Sequence, residues 1–332
     1  MSVMTTSTKI ALVTGSGGFI GSHLVEFLLG EGWTVRAFVR YGSTGSAGFL
    51  QALERQRAPG LEIVRGDLRD QDCVDRAAQS VDTIFNLAAL IGIPYSYEAA
   101  DSYLQTNIGG TLNVLRAARR HGVRRLVQTS TSEVYGSAQY TPIDEAHPLH
   151  PQSPYAASKV GSDQLALSFA RSFETPVVVL RPFNTYGPRQ SARAVIPTLV
   201  SQYLFADRVR IGSLEPVRDF LFVRDTCRAF AAAATAPDLE GGVFNCSTGH
   251  GISIGDLAQV IAELVGRRLP IETSDERVRP ANSEVERLIG SSRLLTERAG
   301  WQPHMSLRDG LVEVIEWMRA HPGLFDANRY VV

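Results

Sequence analysis

The sequence predicts an α/β fold, a doubly wound parallel sheet with a smaller C-terminal α+β lobe. Short apolar runs rich in β-branched residues alternate with amphipathic stretches through the first half of the chain. Most of these runs are apolar throughout, as expected for a parallel sheet covered by helices on both faces. After Arg181 the pattern changes to turn-rich segments and shorter elements, which indicates a second lobe.

Six strands are predicted in the first half, at 9–15, 34–39, 61–66, 82–88, 124–130 and 175–181. Helical spacing lies between them, and right-handed crossovers then give a doubly wound sheet. The stretch FLFVRDTCRAFAAAA indicates that the chain returns to the sheet late. We therefore assign 7–182 and 222–248 to the sheet domain, and 183–221 and 249–330 to the second lobe.

Composition excludes several classes of protein. The 332 residues carry a net charge of -1, which gives no general attraction to nucleic acid or to an anionic membrane. The three cysteines, Cys73, Cys227 and Cys246, lack the spacing of a zinc site or a disulfide framework, so no metal is expected. There is no secretory signal and no apolar stretch near the roughly 18 residues of a membrane span. A cytoplasmic protein is expected.

A glycine-rich loop follows the first strand and opens the first helix. The stretch TGSGGFIGSHL places Gly15, Gly18 and Gly21 in a GxxGxxG spacing, with Phe19 and Ile20 inside it. Glycine permits the tight turn, the close approach of backbone N–H groups to a pyrophosphate, and tight packing of the helix on the sheet. In this strand–loop–helix context the motif predicts a dinucleotide site that includes these five residues.

The phosphate preference of that dinucleotide stays open between NAD and NADP. The second strand ends in RAFVRYGST, where Arg40 stands and no carboxylate is present to bind the ribose 2′-OH of NAD. Arg40 either accommodates the 2′-phosphate of NADP or is a solvated surface residue. Asp67, after the third strand, either reaches the adenine edge or caps the next helix.

Tyr155 and Lys159 lie four residues apart in SPYAASKVG and therefore share one face of a helix. With 10 tyrosines and lysine only at Lys9 and Lys159, chance gives this spacing roughly 0.06 times. Lowering the pKa of a phenol from about 10 to near 7 requires about 4 kcal/mol, which a neighbouring ammonium can help to supply. The pair therefore predicts a tyrosine base supported by a lysine.

With these motifs the sequence resembles the extended short-chain dehydrogenase/reductase family, the NAD-dependent epimerases and dehydratases on a Rossmann core. The resemblance extends over nearly the whole chain and includes NLAA, TNIGGT, TSTSEVYG, RPFNTYGPRQ and RDFLFVRD. It implies NAD or NADP as cofactor, a nucleotide-diphosphate sugar as substrate bound by the second lobe, and a homodimer formed through two helices. It also implies cofactor contacts at Leu68, Leu87, Ala88, Ala89 and Asn107.

Within this family, the loop TSTSEVYG resembles that of the sugar-nucleotide 4,6-dehydratases. Thr131, Ser132 and Glu133 look like the corresponding triplet of GDP-mannose 4,6-dehydratase, and AALIGIPYSYE looks like the legionaminic-acid-type nucleotide-HexNAc 4,6-dehydratases. Such an enzyme oxidises the sugar at C4 with Tyr155, so a second group must take the C5 proton. The resemblance assigns that role to Glu133 and assigns Thr131 to the C4 oxygen. Ser132 stands where many deoxysugar dehydratases have an acidic aspartate.

Polar residues of the second half are the expected substrate contacts. Arginine suits a diphosphate because its planar fork binds phosphate oxygens in pairs. The resemblance places the substrate against Asn184, Arg189, Arg193, Arg218 and Arg279.

Other functions are compatible with the same motifs. A nucleotide-sugar 4-epimerase needs only the tyrosine, lysine and hydroxyl set, and UDP-glucuronate decarboxylases also carry Thr-Ser-Glu in this loop. A catalytically silent NAD(P)-binding regulator would use the same fold, but it would have no need of Thr131, Glu133, Tyr155 and Lys159 together.

Overall fold

A computed structural model describes residues 9–274 and 285–326. Its strands, in chain order, are β1 (Ile10–Thr14), β2 (Thr34–Arg40), β3 (Leu61–Gly66), β4 (Thr83–Asn86), β5 (Arg125–Thr129), β6 (Val177–Pro182), β7 (Asn184–Tyr186), β8 (Val209–Ile211), β9 (Val217–Arg218), β10 (Phe220–Phe222), β11 (Val243–Cys246), β12 (Ile252–Ser253), β13 (Ile271–Thr273) and β14 (Arg287–Leu288).

Seven of these strands form one parallel sheet in the order β11-β6-β5-β4-β1-β2-β3. The order reverses direction between β1 and β4, which pair directly. In open α/β sheets this reversal opens a crevice at the carboxyl ends of the strands, where ligands bind. The predicted doubly wound parallel sheet is confirmed, and β11 extends it beyond the six strands predicted for the first half.

The helices, in chain order, are α1 (Phe19–Gly30), α2 (Gln51–Arg55), α3 (Gln71–Ala77), α4 (Ile93–Glu98), α5 (Ala100–Tyr103), α6 (Gly110–Arg120), α7 (Pro154–Phe173), α8 (Val195–Phe205), α9 (Val223–Thr235), α10 (Ile254–Val265), α11 (Arg293–Ala299) and α12 (Leu307–Ala320). Within the described ranges, none of the helices combines the length and apolar character that a membrane crossing requires.

Two cores cover the two faces of the sheet. Successive side chains of a strand point to opposite faces. Val13 therefore joins the core beneath α1 and α9, whereas its neighbour Leu12 joins the core beneath α3, α6 and α7. Apolar strands such as β6 are buried along their whole length for this reason.

The remaining elements form short sheets and helices beside the carboxyl edge of the large sheet. β7 pairs with β10, β9 pairs with β12 and β14, and β8 pairs with β13, while α8, α10 and α12 pack against one another. The buried Asp219 connects these pieces, because its carboxylate accepts hydrogen bonds from the backbone N–H groups of Thr248 (2.9 Å), Gly249 (2.9 Å) and Gly290 (3.3 Å).

Candidate active site

The glycine loop crosses from β1 to α1 at the reversal of the strand order. Gly15 has φ of 70°, and a Cβ built there would lie 2.9 Å from the backbone nitrogen of Ala88. A Cβ on Gly21 would lie 2.2 Å from the carbonyl oxygen of Gly15, so α1 can approach the loop only without a side chain there. Helix α1 begins at Phe19, followed by Ile20, and its N-cap residue is Gly18, so no side chain caps its N-terminus. Its first N–H groups therefore have no side-chain acceptor.

The loop after β4 lies against the glycine loop, and the two loops together form a cradle. Thr14 Oγ1 accepts hydrogen bonds from the backbone N–H groups of Leu87 and Ala88, both at 3.0 Å, and donates to Asn86 at 2.8 Å. These bonds end β4 at Asn86, two residues before the end of the predicted strand at Ala88, and hold Leu87, Ala88 and Ala89 as irregular backbone beside Gly15. The narrow, glycine-lined gap between the two loops fits a dinucleotide.

Asn107 connects the loop after β4 to helix α7. It lies in a π-helical turn, Leu104–Gly109, an arrangement that often occurs at functional sites. Its carboxamide accepts a hydrogen bond from Leu90 N (2.8 Å) and donates to Leu90 O (3.0 Å) and Ser158 Oγ (2.9 Å). The buried Asn107 therefore joins the predicted cofactor loop to α7.

The predicted adenosine end of the cradle lies at the tips of β2 and β3. Arg40 is exposed at the end of β2, and Leu68 is buried against Gly110 of α6. Asp67 accepts from the Arg69 guanidinium at 2.6 Å, and this bond lowers the pKa of the Asp67 carboxyl to about 2. The nearby charge of Arg40 also lowers the pKa of Asp67. The positive charge of Arg40 therefore lies at the end of β2, where the 2′-phosphate of NADP is one of the two predicted alternatives.

Tyr155 and Lys159 lie on consecutive turns of α7. Ser153 starts this helix, because its Oγ accepts a hydrogen bond from Ala156 N at 3.1 Å, and Pro154 suits the first helical position. Both functional side chains are buried, with 8% and 4% of their surface exposed. Lys159 Nζ donates to the backbone carbonyl of Thr129 at 2.6 Å, and burial lowers the pKa of its ammonium to about 8.

Thr131, Ser132 and Glu133 follow Ser130 just past the carboxyl end of β5, at the edge of the sheet where the crevice opens. Ser132 to Tyr135 form a short 3₁₀ turn, which Thr131 caps by accepting a hydrogen bond from Glu133 N at 3.2 Å. The Thr131 side chain also hydrogen-bonds to Tyr155. Burial raises the pKa of the Tyr155 phenol, the bond to Thr131 lowers it, and the charge of Glu133 raises it again. The structure therefore brings Thr131, Glu133 and Tyr155 together, with Ser132 buried between the first two.

The segment 187–194 contains two of the predicted substrate arginines, and they have different surroundings. Arg189 has φ of 71° and turns toward α1, where its guanidinium donates to Ser22 Oγ (3.1 Å) and Glu26 Oε1 (2.8 Å). Arg193 lies beside Tyr103, and its charge lowers the pKa of that phenol against the dominant raising effect of burial. The ring of Tyr103 packs edge-on to Tyr155, with centroids 6.3 Å apart, so Tyr103 lies between Arg193 and the predicted base.

The other predicted substrate residues include two that the structure describes, Asn184 on β7 and Arg218 on β9. Asn184 Nδ2 donates to the backbone carbonyl of Asp219 at 3.3 Å. Arg218 is largely buried and donates to the carbonyl of Val217 at 3.1 Å. Arg279 lies outside the described residues. The substrate roles of these residues stay predictions.

Three residues near the site were not singled out from the sequence. Asp163 lies one turn after Lys159 on α7, Arg181 on β6 pairs with it, and Tyr103 contacts Tyr155. The only signal for Asp163 was its spacing, since a charged residue four positions after Lys159 shares the buried face of the helix. No local pattern points to Arg181 or Tyr103.

Comparisons with known proteins agree with this geometry. A sequence model of the family described as GDP-mannose 4,6 dehydratase matches residues 12–314. A dTDP-glucose 4,6-dehydratase of Actinoplanes sp. is 34% identical, with 93% of this chain and 98% of the relative covered. A UDP-glucose 4-epimerase of Mycolicibacterium smegmatis is also 34% identical, with 93% and 98% covered.

A solved structure shares the architecture. The dTDP-glucose 4,6-dehydratase DesIV of Streptomyces venezuelae, crystallised with NAD bound, superimposes with a TM-score of 0.85 at 29% identity, over 95% of this chain and 98% of that one. Its bound NAD agrees with the dinucleotide cradle formed here by Gly15, Gly21 and the β4 loop. The match over nearly the whole chain, together with the glycine cradle and the Tyr155–Lys159 pair, shows that this chain belongs to the GDP-mannose 4,6-dehydratase family of extended short-chain dehydrogenases/reductases.

Proposed function

We propose that this protein is a nucleotide-sugar 4,6-dehydratase that uses NAD or NADP and regenerates it in each turnover. The observation that supports this most directly is the cluster of Thr131, Glu133 and Tyr155 beside the buried Lys159. A plain redox or isomerising enzyme needs one proton acceptor at the reacting oxygen. This site offers a second acid/base group, Glu133, next to the first.

The chain's own residues divide the proton transfers between them. Tyr155 takes the proton of the sugar C4 hydroxyl, helped by Thr131, which hydrogen-bonds to its phenol. Lys159 supplies a positive charge that favours the phenolate and a donor for the nicotinamide ribose. The cradle residues Gly15, Gly18, Phe19, Ile20 and Gly21 would hold the pyrophosphate of NAD or NADP, because backbone N–H groups at a helix N-terminus suit an anion. The bound nicotinamide would supply the acceptor for the C4 hydride and the donor for its return to C6.

Glu133 performs the elimination. The C4 ketone acidifies the C5 hydrogen, and the Glu133 carboxylate takes it as a proton. Glu133 can then pass a proton to the departing C6 hydroxyl, directly or through water, so that water is released. Ser132 carries no ionisable acid that could share this task. The hydride then adds at C6 and a proton from water adds at C5, and the proton that Tyr155 took from the C4 hydroxyl is released to solvent in its place. C4 is oxidised and C6 is reduced, and the product is a 4-keto-6-deoxy sugar.

The substrate is a nucleotide-diphosphate sugar in this proposal. Arg193 beside Tyr103 is suited to the diphosphate because it carries a positive charge close to the catalytic residues. Asn184, Arg218 and Arg279 belong to the same proposed binding lobe, 183–221 and 249–330. The dTDP-glucose enzymes among the relatives support the substrate class.

A panel of UDP-, GDP-, CDP- and dTDP-sugars tests this function, with products followed by mass spectrometry. Loss of one water from at least one sugar is the expected result. Loss of carbon dioxide from a uronic acid would instead identify a decarboxylase. Purified protein that binds NAD but changes no nucleotide sugar would favour the regulator.

A 4-epimerase is the second candidate, because a UDP-glucose 4-epimerase is as similar in sequence as the dehydratase relative. An epimerase would give a product of unchanged mass and would have no chemical use for Glu133. Replacing Glu133 by Gln separates the two functions, since only a dehydratase would stop.

We further propose a homodimer in the cytoplasm. The helices α5, α6 and α7 suit a four-helix interface, and Leu104 and Phe173 at their surface are about half exposed in the single chain. The unpaired Cys73, Cys227 and Cys246 suit a reducing compartment. Leu104→Arg is expected to give monomers in light scattering. Leu324→Arg, at an exposed apolar position outside these helices, is the control and should stay dimeric. A dimeric Leu104→Arg protein would place the interface elsewhere.

A further inference from the structure

Asp163 lies on the same face of α7 as Tyr155 and Lys159. Tyr155, Lys159 and Asp163 follow one another at intervals of four residues, so their side chains lie above one another on one side of the helix. Asp163 is the most buried of the three, with no exposed surface. A fully buried carboxylate is costly unless it is paired and hydrogen-bonded, so its partners show what it is placed to do.

The carboxylate is fixed through one of its two oxygens. Oδ2 accepts hydrogen bonds from Ser130 Oγ at 2.6 Å and from the Arg181 guanidinium at 3.2 and 3.1 Å. Oδ1 is buried and has no hydrogen-bond partner among the residues that the structure describes. Ser130 and Arg181 are themselves buried at the ends of β5 and β6. The carboxyl group is therefore held in one place, with one oxygen not committed to these donors. Burial raises the pKa of Asp163, and the charge of Arg181 and the hydrogen bond from Ser130 act against that rise and favour the carboxylate.

Arg181 also makes hydrogen bonds and ring contacts with a residue other than Asp163. Its Nη1 donates to Tyr135 Oη at 3.0 Å, and its guanidinium lies 5.0 Å from the Tyr135 ring centroid. Tyr135 Oη donates in turn to Asn245, whose backbone N–H donates to Glu145 at 2.8 Å. The positive charge of Arg181 is thus shared between Asp163 and this chain of contacts.

The charged and titratable groups around Lys159 come from several elements. Tyr155 and Asp163 lie on its own helix, Glu133 follows β5, and Arg181 lies on β6. Tyr103 and Arg193 lie beyond Tyr155. Tyr135 and Glu145 lie beyond Arg181. Among these groups Asp163 is the negative charge next to Lys159 on its own helix face, and Coulomb interactions decay slowly in such a buried site.

We propose that Asp163 is a positioning residue that acts through Lys159: its fixed carboxylate keeps the buried ammonium protonated near neutral pH. Protonated Lys159 favours the phenolate of Tyr155 and can donate to the cofactor ribose. Burial opposes the charge of Lys159, and the charge of Asp163 opposes that effect. The same carboxylate also disfavours the Tyr155 phenolate, but Tyr155 is two helical turns away and Lys159 only one. This inference rests on the proposed function only for the roles of Tyr155 and Lys159.

The effect of Asp163 on the pKa of Lys159 can be measured directly by NMR. Lysine occurs only at Lys9 and Lys159, so protein labelled with ¹³C-lysine and carrying a lysine-free tag shows two sets of side-chain signals. Lys9, which is exposed, serves as the internal reference. In Asp163→Asn the titration midpoint of Lys159 is expected to fall by about one pH unit, a tenfold loss of proton affinity. The Lys9 midpoint should not move. An unchanged Lys159 midpoint would refute the proposal.

Further variants separate charge from packing. Ser130→Ala removes one hydrogen bond but no charge, so its Lys159 should titrate as in the natural protein; a shift as large as that of Asp163→Asn would contradict the proposal. Asp163→Glu keeps the negative charge on a longer side chain, so its Lys159 midpoint should stay near the natural value. This variant tests the proposal even where Asp163→Asn fails to fold, and a fall of one pH unit or more would contradict it.

Activity supplies the second readout. The alkaline limb of the pH profile of dehydration should move to lower pH in Asp163→Asn by the same amount as the Lys159 midpoint. A uniform loss of rate with the limb unmoved would reduce Asp163 to a structural role. The NMR result does not depend on which sugar is the substrate, so a wrong substrate class and a wrong role for Asp163 give different outcomes.

Discussion

The ammonium of Lys159 and the backbone carbonyl oxygen of Thr129 lie 2.6 Å apart. This hydrogen bond joins α7 to the end of β5, two residues before Thr131, so the base and the residues proposed for elimination are held in one frame. Lys159 is buried at this contact, which is why it loses its proton more easily than an exposed lysine.

Cofactor affinity should therefore depend on pH around the pKa of Lys159. Below about 8 the side chain is protonated and can donate a charge-assisted hydrogen bond to the ribose; above it, that bond weakens. The dissociation constant for NAD is expected to rise about tenfold across this range, the value of one such bond. Fluorescence titration at a series of pH values measures it. Lys159→Gln should bind weakly and without this pH dependence; the same dependence in the variant would assign the effect to another group.

Glu133→Gln should separate oxidation from water loss. The amide preserves the shape of the side chain but cannot take the C5 proton, so dehydration is expected to slow by about 10²–10⁴-fold. NAD binding should be unchanged, and reduced cofactor should accumulate with substrate, visible by its absorbance. Tyr155→Phe is the contrasting variant, because it should block the first oxidation and show no reduced cofactor. Dehydration at the natural rate in Glu133→Gln would remove this residue from the mechanism.

Gly21→Ala should damage the cofactor cradle. The added Cβ would lie 2.2 Å from the carbonyl oxygen of Gly15, so α1 must move away from the loop. Such overpacking costs about 1–3 kcal/mol, and we expect a lower melting temperature together with weaker NAD binding. Gly30→Ala, at the far end of the same helix, meets nothing within 4 Å and should be neutral or slightly stabilising. Equal behaviour of the two variants would show that the close approach of Gly21 is unimportant.

Arg193 and Arg189 should behave differently although both lie in the segment 187–194. Arg193→Met is expected to raise the KM for the nucleotide sugar about tenfold, as for the loss of a charge-assisted hydrogen bond to a phosphate. Arg189→Met breaks a partly exposed ion pair with Glu26 and should cost about 0–1 kcal/mol of stability, with little change in KM. A larger rise in KM for Arg189→Met would restore the substrate role that its sequence context predicts.

The sequence predicted the features that depend on local spacing. The strands from β1 to β6 appear within a few residues of the predicted ends, because apolar runs and turn residues determine them locally. The glycine loop and the Tyr155–Lys159 pair are also short-range patterns. The junction of Ser130, Asp163 and Arg181 was not predictable in this way, because these residues come from β5, α7 and β6 and meet only in the folded chain. The pairing of Arg189 with Glu26, 163 residues apart, has the same origin.

The charge at the end of β2 leads to a prediction about the cofactor phosphate. Arg40 is exposed, and it lies close enough to Asp67 to lower the pKa of that carboxyl. A 2′-phosphate would meet this guanidinium, whereas the 2′-OH of NAD finds no carboxylate on β2 itself. Arg40→Ala is therefore expected to weaken NADP binding by about tenfold or more, the value of a charge-assisted hydrogen bond, and to leave NAD binding nearly unchanged. Calorimetric titration with both dinucleotides measures the difference. Arg69→Ala is the control for altered charge near Asp67, and equal losses for NAD and NADP in Arg40→Ala would make Arg40 a surface residue.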